Sequence, residues 1–260
     1  MLLKAGRVLM THSWLGVPTN VVLDFRAEVA NYGDHGATAI LHDKGFLYIT
    51  YSKLNPIWGQ HCADYGQPDR PLPEITGCPV FGRLSRWAVS AAGAIAGQEQ
   101  VLFDSEFGGA AGGFSSQNKA CGQFSTHSVP AGLAMLNDDF YISLGDGAAF
   151  TMLDFGELGL NPCGDADAFK GAFRSQDPRR FNGKVLRLDP LTFAPTIMTS
   201  GHRNPFRLAA MRNDIYATET GWYSCKCPRA SPTLSHAPTV DRRFVANSRP
   251  PRPAPPQTRR

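Results

Sequence analysis

Three stretches of this chain repeat one pattern: "GATAILHDKGFLYITYS" (36–52), "AGLAMLNDDFYISLGDG" (131–147) and "RLAAMRNDIYATETG" (207–221). In each, small and apolar residues lead to an Asn or Asp at a turn, and an alternating run carrying Tyr48, Tyr141 or Tyr216 follows. Alternation on both sides of a short polar turn marks a β-hairpin, because successive side chains of a strand point to opposite faces. Further strands are expected at 6–13, 82–90 and 183–190. No window of a dozen residues keeps a helical apolar stripe without a Gly or Pro interrupting it, so the chain is expected to be all-β. Recurring hairpins separated by long, unequal insertions point to a β-propeller, with four-stranded blades and loops gathered over a central channel. A β-sandwich is the alternative, but its turns should fall at shorter and more even spacing. The recurring tyrosines are read as blade core.

Charge divides the chain in two. From Trp222 to Arg260 stand eight basic residues and one acid, Asp241, together with eight of the 20 prolines. That leaves 18 basic against 21 acidic residues before it, so the net +4 belongs to the tail. Such a composition cannot bury enough apolar surface to fold, and 223–260 is expected to be a disordered Pro/Arg-rich extension of a body spanning 1–222. A basic tail can also touch nucleic acid or anionic lipid, but the body's charge excludes nucleic-acid binding as its main task. No run approaches the ~20 apolar residues of a membrane-spanning helix. The opening "MLLKAGRVLM" is broken by Lys4 and Arg7 and makes a poor secretory signal.

Of six cysteines, Cys62, Cys78, Cys121 and Cys163 lie in Gly/Pro/Asn-rich stretches, and Cys225 and Cys227 lie in the tail. None forms C-x-x-C and no histidine spacing completes a zinc site. Two loop disulfides, Cys62–Cys78 and Cys121–Cys163, are expected from their loop context and order, with unpaired thiols as the alternative.

Six stretches stand in an order shared with a known family: "GRLSR", "CGQFSTHSVPAGLAM", "FYISLGDGAAF", "DFGELGLNPCGDA", "RSQDPRRFNGKVLRLDP" and "GHRNPFRLA". From about residue 5 to Trp222 the chain resembles the soluble quinoprotein glucose/sorbosone dehydrogenases. That family includes PQQ-dependent sugar dehydrogenases and hedgehog-interacting-protein-like relatives. The resemblance implies a six-bladed propeller of which about three blades are present, and a secreted or otherwise oxidising location. It implies pyrroloquinoline quinone (PQQ) and Ca²⁺ as cofactors, a sugar substrate and an electron acceptor.

Residue by residue, the resemblance gives His127 the role of general base on the sugar hydroxyl and Asp146 that of orienting it. It sets Arg203 against the quinone oxygens and Asp34 near the cofactor, and gives the carbonyls of Gly221 and Trp222 to Ca²⁺. The chemistry suits these residue types. An imidazole titrates near ~6.5, a carboxylate on its second nitrogen fixes the tautomer, and a guanidinium is a permanent cation with a planar donor fork. His202 is read as support for its loop. Each has a plainer reading: Asp146 as the Asp of a tight turn, His127 as a loop histidine, Arg203 as half of a surface ion pair, Gly221 as a turn residue.

Two departures stand out. Pro130 occupies the glycine position of the family's H-x-x-G motif, so the local backbone is expected to differ. After "ETGWY" the family's acidic stretch gives way to "SCKCPRASPTL", so the chain is expected to be a fragment or to leave the family's reading frame near residue 223. The sequence therefore carries two functions: a PQQ-dependent sugar oxidoreductase, and a non-enzymatic propeller that binds a protein or glycan.

Overall fold

The computed structural model describes residues 1–11, 18–31, 33–54, 79–106, 109–110, 120–123, 126–148, 171–220 and 246–247. These residues fold into antiparallel sheets laid down in chain order. The first contains β1 (Leu2–Leu3), β2 (Arg7–Thr11) and β3 (Pro18–Asp24). The second runs β4 (Ala37–Asp43), β5 (Phe46–Leu54), β6 (Pro79–Ala88), β7 (Gln100–Asp104) and β8 (Gly109–Ala110), with β9 (Cys121–Gln123) pairing onto β6. The third is the meander β10 (Gly132–Leu136), β11 (Asp139–Leu144), β12 (Lys184–Leu188) and β13 (Pro195–Ser200). The fourth joins β14 (Pro205–Met211) and β15 (Asp214–Glu219) to β16 (Ala246–Asn247). A single 3-10 turn, Gly171–Gln176, is the helical piece among the described residues.

The three expected hairpins are β4–β5, β10–β11 and β14–β15. Each closes through a two-residue loop in which at least the first residue takes the left-handed backbone. Lys44 and Gly45 have φ of 47° and 79°, Asn137 and Asp138 have 52° and 68°, and Arg212 has 58°.

Alternation along the strands then buries both faces of a sheet. On β5, Tyr48 packs into one core with Phe140 and Leu188, while its neighbour Ile49 packs into another with Val8, Phe25 and Trp87. On β11, Phe140 and Ile142 face the first of these cores, and Tyr141 faces a third containing Ile215 of β15. Each core therefore lies between sequential sheets. The opening strands meet in series: β1 touches β4, β4 touches β10, and β10 touches β14. Face-to-face sheets whose first strands line one axis make a partial β-propeller, here two complete blades flanked by parts of two more. A sandwich, with two sheets sharing one core, does not describe it.

The geometry has a consequence for function. The segments entering β4, β10 and β14, together with the one following β11, gather at one end of the strands. The hairpin loops lie at the other.

Cys121 is disulfide-bonded, but Cys62, Cys78 and Cys163 lie outside the described residues, and so do both expected pairings. The tail lies outside them too, apart from Ala246 and Asn247, which pair with Ile215 and Asp214.

Candidate functional site

At the gathered end, His127 and Asp146 form a buried dyad. Each is 1% exposed, and His127 Nδ1 lies 2.6 Å from Asp146 Oδ1. A carboxylate only accepts, so the shared proton sits on Nδ1, and in the neutral imidazole that leaves the lone pair on Nε2. Among the described residues Nε2 has no hydrogen-bond partner. Leaving a buried polar atom unpaired costs about 1–3 kcal/mol, so such an atom calls for an explanation in function.

Main-chain hydrogen bonds hold the dyad. His127 N donates to Ala148 O (3.0 Å), Gly145 N to Ser128 O (2.7 Å), and Asp146 N to Arg203 O (2.8 Å). Asp146 Oδ1 also accepts from Ala148 N at 2.8 Å. The glycines around Asp146 are required by close approach. A Cβ at Gly145 would stand 2.8 Å from Ser128 O and 2.9 Å from His127 Cβ. At Gly147, where φ is +73°, one would stand 2.8 Å from Cys121 O. The GDG motif is thus a packing device for the dyad as well as a turn.

Arg203 is 5% exposed. Its main chain touches Asp146, and its Nη1 donates to Thr220 O at 3.3 Å. Asp34, half-buried, accepts from Asn204 Nδ2 at 2.9 Å. The structure therefore gathers Asp34, His127, Asp146 and Arg203 from four loops. Gly221 and Trp222 lie outside the described residues. Among those described, no group of three or more His, Cys, Asp and Glu could hold a metal. The Val129–Pro130 peptide is cis, where the family motif would have its glycine.

Further buried or half-buried polar residues surround the site, and of these only His202 was singled out from the sequence. Glu219 accepts Arg203 N–H at 2.5 Å and lies 3.4 Å from His202 Nδ1. His202 Nε2 lies 2.6 Å from Thr199 Oγ1, so this histidine braces the Arg203 loop. Asn204 Oδ1 is buried without a hydrogen-bond partner among the described residues. Beneath the Asp146 loop, Asn182 exchanges hydrogen bonds with Cys121 N (3.2 Å) and Cys121 O (2.9 Å), and Arg174 Nη1 donates to Gly147 O (3.1 Å). Burial first, then the neighbouring charge of Arg180, pushes Arg174 down to about 9, against the opposing pull of Asp146. Lys184, 1% exposed, spends its three N–H donors on Arg174 O (3.2 Å), Ser175 O (2.6 Å) and Asn182 O (2.9 Å). Burial lowers it to about 8. The one signal for these residues in the sequence is a Lys or Asn beside a glycine at a strand entrance, in "FNGK".

Among the described residues no helix is long and apolar enough to cross a membrane. No protein-family model matches the chain, and no curated protein matches it. Among solved structures it is similar to a glucose dehydrogenase, at 14% identity over 85% of this chain and 56% of that one, with a TM-score of 0.46. It is likewise similar to the soluble aldose sugar dehydrogenase from Escherichia coli in its apo form, at 14% identity over 85% and 53% of the two chains, with a TM-score of 0.48. The chain spans about half the length of these structures.

Proposed function

We propose that the chain carries the acid–base site of a quinone-dependent sugar oxidoreductase. One observation carries the reading: a fully buried His–Asp pair whose second ring nitrogen has no hydrogen-bond partner among the described residues, on the motifs that resemble the sugar dehydrogenases. In this reading His127 Nε2 accepts the proton of a sugar hydroxyl. Asp146 keeps the imidazole in the accepting tautomer and balances the positive charge that develops on it.

The donor set fits the implied cofactor. Arg203, a fixed cation, and Asp34, tied to it through Asn204, would hold the quinone, and the orphaned Asn204 Oδ1 marks a polar wall lacking a donor. When bound, pyrroloquinoline quinone supplies the acceptor for the hydride that leaves the sugar carbon. Arg203, a permanently charged planar donor fork, would face the quinone oxygens and would supply hydrogen-bond donors for them. Ca²⁺ belongs to the same reading, and the carbonyls of Gly221 and Trp222 would hold it.

The test mixes the full chain with quinone and Ca²⁺, follows binding by quinone absorbance, and measures dye-linked aldose oxidation. His127→Ala should still bind quinone while its rate falls about 10²–10⁴-fold. Arg203→Ala should bind quinone more weakly and lose about 10²–10³-fold. If wild type binds no quinone, or His127→Ala works at the wild-type rate, the reading falls and a non-enzymatic binding propeller replaces it.

A further inference from the structure

A cavity of about 450 Å³ opens between the second and third sheets, at the hairpin end of the strands and away from His127. Its volume falls within the ~300–1,000 Å³ typical of small-molecule sites. Phe46, Tyr48, Phe140 and Phe193 form its wall. Tyr48 and Phe140 stack with centroids 4.7 Å apart, and Phe140 and Phe193 lie 6.0 Å apart. The Arg86 guanidinium lies 4.3 Å from the Phe46 centroid and 6.0 Å from that of Phe193.

The polar groups of this wall are only partly engaged. Arg86 Nε donates to Gln100 Oε1 at 2.8 Å, while its two Nη groups have no acceptor among the described residues. Tyr48 is 4% exposed, yet its hydroxyl makes no hydrogen bond among them, and neither does the half-buried Asp43 carboxylate. At the mouth Lys44 pairs with Asp138 at 2.5 Å, tying the two sheets together. Arg86 and Lys44 balance Asp43 and Asp138, so the lining offers no net charge to select an anion or a cation. It offers the half-buried rings of Phe46 and Phe193 ringed by a donor fork, a carboxylate acceptor and a hydroxyl that does both. The chemistry complementary to that has an apolar C–H face and a rim of hydroxyls, each able to donate and accept: a pyranose.

We propose that this cavity is a second, non-catalytic saccharide site, taking a neutral mono- or disaccharide. It stands on its own residues and does not depend on the dyad being catalytic. The test is saturation-transfer NMR and calorimetric titration of the full chain with maltose, with benzoate and tetramethylammonium as charged probes. Maltose should bind, with saturation strongest on its ring C–H protons. Arg86→Met and Asp43→Asn should each weaken binding about tenfold, the loss of one charge-assisted hydrogen bond. Asp43→Asn changes one atom at a surface turn and leaves the fold intact, so its result is read even if Arg86→Met unfolds. In His127→Ala the maltose signal at this cavity should persist. The proposal is overturned if maltose does not bind, if binding is lost in His127→Ala and kept in Asp43→Asn, or if only a charged probe binds.

Discussion

Replacing Lys184 by methionine tests whether a buried ammonium holds up the floor of the site. The side chain lengths are similar, so the main change is the loss of three donors. Two of the three carbonyls keep another partner: Arg174 O accepts from Asp177 N at 3.1 Å, and Ser175 O from Gly201 N at 3.0 Å. Asn182 O has no other hydrogen bond among the described residues. Three hydrogen bonds worth about 1 kcal/mol each, with one carbonyl orphaned, give a loss of about 3 kcal/mol for the ammonium form. At a urea m-value of ~2 kcal/mol/M, the midpoint should fall by about 1.5 M. The loss should also grow with pH. Lys184 titrates at about 8 when folded against an ordinary 10.5, so above pH 8 the unfolded chain binds the extra proton. Stability contributed by this group therefore rises with pH from 8 towards 10.5, by about 1.5–2 kcal/mol between pH 8 and 9.5. Methionine cannot titrate, so the wild-type advantage should widen by that amount, and groups common to both proteins cancel. Urea unfolding followed by tryptophan fluorescence at pH 8.0 and 9.5 measures both effects. Equal midpoints, or a gap that does not change with pH, would refute the argument.

Asp146→Asn should reverse the His127 tautomer, because an amide can donate to Nδ1; ¹⁵N ring shifts would show the exchange, and sugar oxidation should fall about 10²–10⁴-fold. An unchanged tautomer would remove Asp146 from the orienting role. Non-reducing peptide mapping should recover Cys62–Cys78 and Cys121–Cys163, each worth about 2–4 kcal/mol, and a crossed or absent pairing would contradict the sequence reading. Limited proteolysis should trim 223–260 within minutes and leave a resistant body ending near Trp222; a tail that survives intact would show that it packs.

The hairpins were legible because their code is local. A two-residue loop needs particular backbone angles, and Lys-Gly, Asn-Asp and Arg-Asn between alternating runs provide them. β13 was not legible: its residues are mostly half-exposed or exposed, so no alternation distinguishes it from a loop. His127, Asp146, Arg203 and Asp34, singled out through motifs far apart in the sequence, come together at one end of the strands. Lys184, Arg174 and Asn182 escaped notice because a buried polar residue looks like a surface one until its partners are known. Asn182 meets Cys121 of β9, Arg174 meets Gly147 after β11, and Lys184 meets carbonyls of the 3-10 turn and of Asn182, contacts that "FNGK" signals only by an Asn and a Lys beside a glycine.

The dyad is fastened through peptide groups: His127 N to Ala148 O, Gly145 N to Ser128 O, Asp146 N to Arg203 O. A peptide group is the same whatever side chain it carries. Mutational drift at Ser128 and Ala148 can therefore proceed without shifting the imidazole, provided each new side chain fits the space. Tolerance should be sharply uneven along these loops. The two glycines, the histidine and the aspartate admit almost no exchange, and buried Ser128, whose hydroxyl donates to Pro130 O, should tolerate less than Ala148. The position of the imidazole is therefore set more by the path of the backbone than by the neighbouring side chains.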